Sequence, residues 1–130
     1  MNERKDRLNL LVIEDETLVC MDLEEAVEEL GHRVIDVAGH VDRALQRIAT
    51  HGTSIDCVLL DANLGGHSAR PIADILAERG IPYLVISGYD EPSVRRMGIS
   101  GPVLAKPFNS KCIGSMLNAV ARGETIAPPG

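Results

Sequence analysis

Residues able to bind a metal ion and a phosphate follow four short apolar runs in the chain. Glu14 and Asp15 follow the first run, Asp61 the third, Ser87 the fourth and Lys106 the fifth. Two like charges about 4 Å apart repel by roughly 4 kcal/mol at an effective dielectric near 20, so clustered carboxylates need compensation. Mg²⁺ supplies it, because this ion binds carboxylate oxygens and keeps waters that a phosphate can replace. These residue types therefore predict phosphate chemistry with Mg²⁺, provided the fold brings them together.

The apolar runs have the length and the branched or leucine-rich composition of buried parallel strands. The predicted strands are Leu8–Ile13, Val34–Ala38, Ile55–Leu60, Tyr83–Ile86 and Val103–Ala105.

Amphipathic stretches with helical spacing separate the strands. The predicted helices are Glu16–Leu30, Val41–Ala49, Pro71–Glu78, Glu91–Met97 and Asn109–Val120. Gly31 and Gly80 follow two of them directly, where a left-handed cap ends a helix. The stretch Gly65-Gly66-His67 is predicted as a loop.

Strict alternation of strands and helices predicts an α/β fold, a doubly wound five-stranded parallel sheet in the order 2-1-3-4-5. In that order strands 1 and 3 are neighbours, and their carboxyl ends flank the point where ligands bind. Glu14, Asp15 and Asp61 then converge, Lys106 reaches toward Asp61, and Ser87 offers a hydroxyl to the same space.

Length and composition indicate one domain and exclude several function classes. The 130 residues carry a net charge of -6, which removes the electrostatic basis for binding nucleic acid or an anionic membrane. No apolar run approaches the roughly 18 residues of a membrane span. No CxxC motif occurs, so the sequence does not support a zinc site or a redox motif of that kind. We predict a cytoplasmic domain over residues 8–121, a charged lead at 1–7 and a flexible C-terminal tail at 122–130.

The set Glu14-Asp15, Asp61, Ser87 and Lys106-Pro107-Phe108 resembles the receiver domain of two-component response regulators, of the stand-alone, single-domain type. The resemblance covers about residues 8–121 and implies a flavodoxin-like fold. It implies that Asp61 is the phosphoacceptor and that Lys106 and Ser87 contact the phosphoryl oxygens.

The resemblance also implies a cofactor and partners. Glu14, Asp15, Asp61 and the backbone carbonyl of Asn63 would bind Mg²⁺. A sensor histidine kinase or a phosphotransfer protein would donate the phosphoryl group, and a downstream protein would receive the signal. Such a bacterial regulator is not an enzyme in its own right, and it is expected to be a monomer or a weak dimer.

One position departs from the common receiver pattern. Many receivers have an aromatic residue three positions before the lysine, whereas this chain has Val103. Tyr89 follows Ser87 closely and precedes a short predicted helix. We therefore predict that Ser87 and Tyr89 form the switch and that residues 91–101 form the output surface.

Three alternative functions differ in how well these residues fit them. A haloacid-type phosphohydrolase needs an aspartate two positions after the nucleophile, where this chain has Asn63. A flavodoxin-type redox module would place a flavin phosphate beside Glu14 and Asp15, which would repel it. A degenerate receiver that acts as a phosphorylation-independent interaction module remains the alternative.

Overall fold

The computed structural model describes residues 6–123 and contains a five-stranded parallel sheet. Its strands are β1 (Asn9–Ile13), β2 (Arg33–Ala38), β3 (Cys57–Asp61), β6 (Tyr83–Ser87) and β7 (Val103–Ala105). The order β2-β1-β3-β6-β7 confirms the predicted arrangement, with β6 and β7 as the fourth and fifth strands of the prediction. Residues 1–5 of the predicted lead (1–7) and residues 124–130 of the predicted tail (122–130) lie outside the described residues.

Four α-helices connect the strands of the sheet within residues 6–123, and a fifth follows β7. They are α1 (Thr17–Glu29), α2 (Val41–His51), α3 (Arg70–Arg79), α4 (Glu91–Arg96) and α5 (Ser110–Ala121). Gly31 and Gly80 adopt positive φ angles of 86° and 70° after α1 and α3, as their positions in the sequence predicted. Asn109 caps α5, because its side-chain oxygen accepts a hydrogen bond from the backbone N–H of Lys111 at 2.7 Å.

The core consists of two apolar layers, one on each face of the sheet. Alternate strand residues point to opposite faces, so Leu59 packs in the layer under α1 and α5, whereas Leu60 packs in the layer under α2, α3 and α4. All five residues of β3 are buried. This central strand therefore holds Asp61 in a fixed position at its carboxyl end.

A small antiparallel hairpin follows β3 where the sequence predicted a loop. Its strands are β4 (Asn63–Leu64) and β5 (His67–Ser68). Gly65 and Gly66 form the turn with φ angles of 60° and 89°, the positive values that a tight hairpin turn of this kind requires. The hairpin thus lies directly beside Asp61.

None of the helices in residues 6–123 is long and apolar enough to cross a membrane.

Candidate metal and phosphate site

Three carboxylates meet at the carboxyl end of the sheet, where β1 and β3 run side by side. One oxygen each from Glu14, Asp15 and Asp61 lies within 4.8 Å of the other two. Glu14 and Asp61 are buried, with 4% and 6% of their surfaces exposed, whereas Asp15 is exposed. The hard oxygen donors and their spacing fit a divalent cation such as Mg²⁺.

Lys106, directly after β7, is the cation that balances part of this charge. Its Nζ lies 3.0 Å from Glu14 Oε1 and 3.2 Å from Asp61 Oδ2. Burial opposes the charge on Lys106, but the two carboxylates outweigh it and raise the pKa of the ammonium group. Lys106 therefore stays protonated and holds a fixed positive charge beside Asp61.

Glu14 is the carboxylate of this site whose hydrogen bonding is least complete. Its Oε2 accepts a hydrogen bond from the backbone N–H of Glu16 at 3.1 Å. Its buried Oε1 faces Lys106 as an ion pair, but the angles are not those of a hydrogen bond. Burial, followed by the neighbouring Asp61, raises the pKa of Glu14 to about 7. A buried oxygen without a hydrogen-bond donor is a group that a bound cation would satisfy, so these residues fit Mg²⁺.

The other two carboxylates hold the β4–β5 hairpin against the site. The backbone N–H of Asn63 donates to Asp61 Oδ1 at 3.1 Å, and that of Gly65 donates to Asp15 Oδ2 at 3.0 Å. Burial acts to raise the pKa of Asp15, but its hydrogen bonds, including those with Glu14 and Gly65, lower it overall. Asp15 is therefore ionised at neutral pH and available to a cation.

Ser87 and Tyr89 form the opposite wall of the site. Ser87 ends β6 with 1% of its surface exposed, and its Oγ accepts a hydrogen bond from the backbone N–H of Tyr89 at 2.9 Å. The hydroxyl proton of Ser87 remains available to donate to a ligand. The hydroxyl of Tyr89 accepts a hydrogen bond from Asn63 Nδ2 at 3.1 Å.

An open cavity of about 360 Å³ lies at this site, and its lining includes Asp15, Asp61, Ser87, Tyr89 and Lys106, with the buried Glu14 behind Lys106. Two cavities of about 650 and 660 Å³ lie elsewhere on the surface, but neither contains the three-carboxylate cluster found here among the described residues. Charge and hydrogen-bonding chemistry, not size, identify this cavity as the candidate site.

The structure brings together all the residues that the sequence singled out for the site: Glu14, Asp15, Asp61, Asn63, Ser87, Tyr89 and Lys106. Sequence reasoning paired Lys106 with Asp61 and missed its contact with Glu14. It also missed the hydrogen bond between Asn63 and Tyr89. The Gly-Gly turn after Asp61 was a signal for the hairpin in which Asn63 lies.

Searches for related proteins return response regulators, although no protein-family model matches the chain. The chain is 33% identical over 115 residues to the phyllosphere-induced regulator PhyR of Methylorubrum extorquens. That match covers 84% of this chain and 42% of PhyR, so the chain spans less than half of that relative.

Solved structures give the same result. SdrG from Sphingomonas melonis is 33% identical, with a TM-score of 0.71 over 89% of this chain and 98% of SdrG. PhyR from Bartonella quintana, described as an anti-anti-sigma factor, is 28% identical, with a TM-score of 0.75 over 89% of this chain and 48% of that protein.

Proposed function

The chain belongs to the receiver domains of the response regulator family, and on that premise we propose that Asp61 accepts a phosphoryl group from a phosphohistidine. The donor is a sensor histidine kinase or a phosphotransfer protein in the cytoplasm. The observation that carries this proposal is the placement of Asp61, buried at the end of β3 with Lys106 Nζ 3.2 Å from its Oδ2.

The transfer needs one nucleophile from the protein, the carboxylate of Asp61. An oxygen of Asp61 forms a bond to phosphorus while the bond from phosphorus to the donor imidazole breaks, and the imidazole leaves with the electron pair. A carboxylate nucleophile needs no general base once it is ionised, and catalysis consists mainly of positioning and charge stabilisation. Lys106 supports the reaction by facing the phosphoryl oxygens with its ammonium group.

Glu14, Asp15, Asp61 and the backbone carbonyl of Asn63 are the proposed Mg²⁺ ligands. Bound Mg²⁺ supplies charge neutralisation for phosphoryl oxygens. Three ionised carboxylates carry -3, and Mg²⁺ with Lys106 supplies +3, so the loaded site is formally neutral before phosphorylation. Without a metal the three carboxylates outweigh Lys106, and the neighbouring Asp61 adds to burial, the larger cause, in raising the pKa of Glu14.

The donor protein needs a surface next to Asp61, and α1 offers one. Leu18 and Met21 of α1 are 76% and 57% exposed, although both are apolar. A neighbouring groove is lined by Val19, Pro107 and Phe108 together with Asp22 and Lys106, so a largely apolar surface extends to Lys106 of the site. We propose that an apolar helix of the kinase or phosphotransfer protein docks on α1 and presents its phosphohistidine to Asp61.

Phosphorylation is proposed to act through Ser87 and Tyr89. A phosphoryl oxygen on Asp61 attracts the hydroxyl of Ser87, whose Oγ already holds the backbone of Tyr89. Movement there is passed to residues 91–101, where a downstream protein binds. Regulation through a protein partner agrees with the description of the Bartonella PhyR as an anti-anti-sigma factor, and such a receiver is not an enzyme in its own right.

Intact-mass spectrometry after incubation with acetyl phosphate tests the proposal. The wild type and an Asp42→Asn control should gain one phosphoryl group when Mg²⁺ is present and none when EDTA replaces it. Asp61→Asn should gain none under either condition. A folded wild type that stays unmodified would contradict phosphoacceptor function and favour the alternative, a phosphorylation-independent interaction module.

A further inference from the structure

The side chain of Arg70 lies against the backbone of Gly98 and joins two elements that the sequence keeps apart. A Cβ built on Gly98 would meet Arg70 Cδ, Nε and Cζ at 2.7, 2.8 and 2.9 Å. Arg70 is the first residue of α3, and Gly98 lies in the connection from α4 to β7. The absence of a side chain at Gly98 is what lets the arginine pack there.

Arg70 is also attached to the phosphoacceptor side of the molecule. Its backbone N–H donates to Ser68 Oγ at 3.1 Å, and the adjacent N–H of Ala69 donates to the carbonyl of Ala62 at 3.0 Å. The base of the β4–β5 hairpin is therefore tied to the start of α3, so a displacement of the hairpin moves the anchor of the Arg70 side chain.

The hairpin is also hydrogen-bonded to two carboxylates of the candidate site. Its backbone donates to Asp61 through Asn63 and to Asp15 through Gly65. Both acceptors are carboxylates that the proposed function assigns to the phosphoryl group or the metal. Loading the site changes what these oxygens bind, and thereby the forces on the hairpin.

The hairpin, the start of α3 and the α4–β7 connection also share one buried apolar layer. Leu64 of the hairpin, Ala69 before α3, and Val94 and Ile99 on either side of Gly98 belong to one buried apolar cluster. The exposed Arg70 side chain also forms an ion pair with Asp74, at 3.8 Å along the same helix. The contact with the Gly98 backbone thus joins this side chain to residues 91–101, the proposed output surface.

We infer that Arg70 is a positioning residue that couples the β4–β5 hairpin to the α4–β7 connection, by a route separate from Ser87 and Tyr89. The inference rests on the proposed phosphoacceptor function. A side chain that links two packed elements transmits a displacement only while the contact persists, so removing it should uncouple the output surface and leave the reaction at Asp61 intact.

The test compares amide ¹H–¹⁵N spectra before and after phosphorylation with acetyl phosphate and Mg²⁺, for the wild type, Arg70→Ala and an Arg79→Ala control. Arg70→Ala should form the phosphoryl adduct and keep the shifts at Ser87, Gly88 and Tyr89. It should lose at least half of the shift at Met97, Gly98 and Ile99, whereas Arg79→Ala should keep it. An unchanged response at Gly98 in Arg70→Ala, or an equal loss in Arg79→Ala, would overturn the coupling role.

A double-mutant cycle tests the contact even if no adduct forms. Gly98→Ala is strained in any background because Gly98 has a φ of 82°, but it displaces the Arg70 side chain only where that side chain is present. Its effect on the free energy of unfolding should therefore differ between the wild type and Arg70→Ala. If Gly98→Ala changes the free energy of unfolding equally in both backgrounds, the contact is absent. Failure of the wild type to form an adduct would instead contradict the proposed function.

Discussion

The side-chain amide of Asn63 donates a hydrogen bond to the hydroxyl of Tyr89 across 3.1 Å, joining β4 to the loop after β6. Asn63 also contacts Asp61 through its backbone N–H, and Tyr89 contacts Ser87 through its own. The two walls of the candidate site are thus closed by one exposed hydrogen bond at the mouth of the cavity. We therefore expect a movement of Ser87 toward a phosphoryl group to shift Tyr89 and to strain this bond.

Tyr89→Phe removes the hydrogen bond while keeping the aromatic ring. Because the bond is exposed, with Tyr89 at 48% exposure, we expect the free energy of unfolding to change by less than about 1 kcal/mol. The phosphorylation-dependent shifts of residues 91–101 should become smaller, because residue 89 no longer accepts a hydrogen bond from Asn63 of β4. Amide spectra with and without acetyl phosphate and Mg²⁺ measure this effect.

Tyr83→Phe is the matched control for Tyr89→Phe. Tyr83 packs its ring against Gly101 and lies at the other end of β6, away from the cavity. Removing the Tyr83 hydroxyl should leave the phosphorylation-dependent shifts of residues 91–101 as large as in the wild type. If Tyr89→Phe also gives wild-type shifts, Tyr89 has no part in the switch.

Mg²⁺ should stabilise the folded protein through the three carboxylates. A ligand at one hundred times its Kd stabilises the native state by about 2.7 kcal/mol, so the urea midpoint should rise when Mg²⁺ replaces EDTA. Asp15→Asn removes one ionised oxygen donor and should lose most of this gain. The control Glu78→Gln, an exposed change on α3, should keep the full stabilisation by Mg²⁺. An undiminished stabilisation in Asp15→Asn would show that Asp15 does not bind the metal.

His32 should make the stability of the fold depend on pH. Its buried Nδ1 accepts a hydrogen bond from the backbone N–H of Leu8 at 3.0 Å, and burial lowers its pKa below 6.5. The unfolded chain then binds a proton more readily than the folded one. The stability linked to His32 is therefore complete above pH 6.5 and is lost as the pH falls below it.

Glu14 acts in the opposite direction, because its pKa of about 7 in the folded state exceeds the ordinary value of 4.5. Its contribution favours the folded state as the pH falls through this range. The test is therefore the difference between the wild type and His32→Gln in urea unfolding from about pH 7.5 to about pH 5. The wild type should lose stability relative to His32→Gln as the pH falls, and His67→Gln should behave as the wild type. A constant difference would show that His32 does not titrate differently on folding.

The sequence was sufficient to predict the sheet order and the meeting of Asp61 with Lys106. Alternating strands and helices leave few topologies open, and residues that end neighbouring parallel strands share one edge of the sheet. The prediction was less accurate where short local contacts decide the structure. The third strand begins at Cys57 and not at Ile55, because the N–H of Ile55 bonds to the carbonyl of Gly52 in a tight turn.

Side-chain environments within the site were harder to predict. Glu14 and Asp15 are adjacent in the sequence, yet Glu14 is buried against Lys106 and Asp15 is exposed beside Gly65. Successive residues at a strand end point in different directions, and only the surrounding packing decides which is buried. The hairpin was missed because its strands have two residues each, too short to show the alternation that would support the Gly-Gly turn signal.

The most direct test of the account is to locate the phosphoryl group on the chain. Borohydride reduces an aspartyl phosphate to homoserine and leaves a free aspartate unchanged, so peptide mass spectrometry identifies the modified residue after incubation with acetyl phosphate and Mg²⁺. We predict homoserine at Asp61 and unmodified aspartate at Asp15. Reduction at another aspartate, or a phosphoryl group that survives reduction on Ser87, would contradict the assignment of Asp61 as the phosphoacceptor.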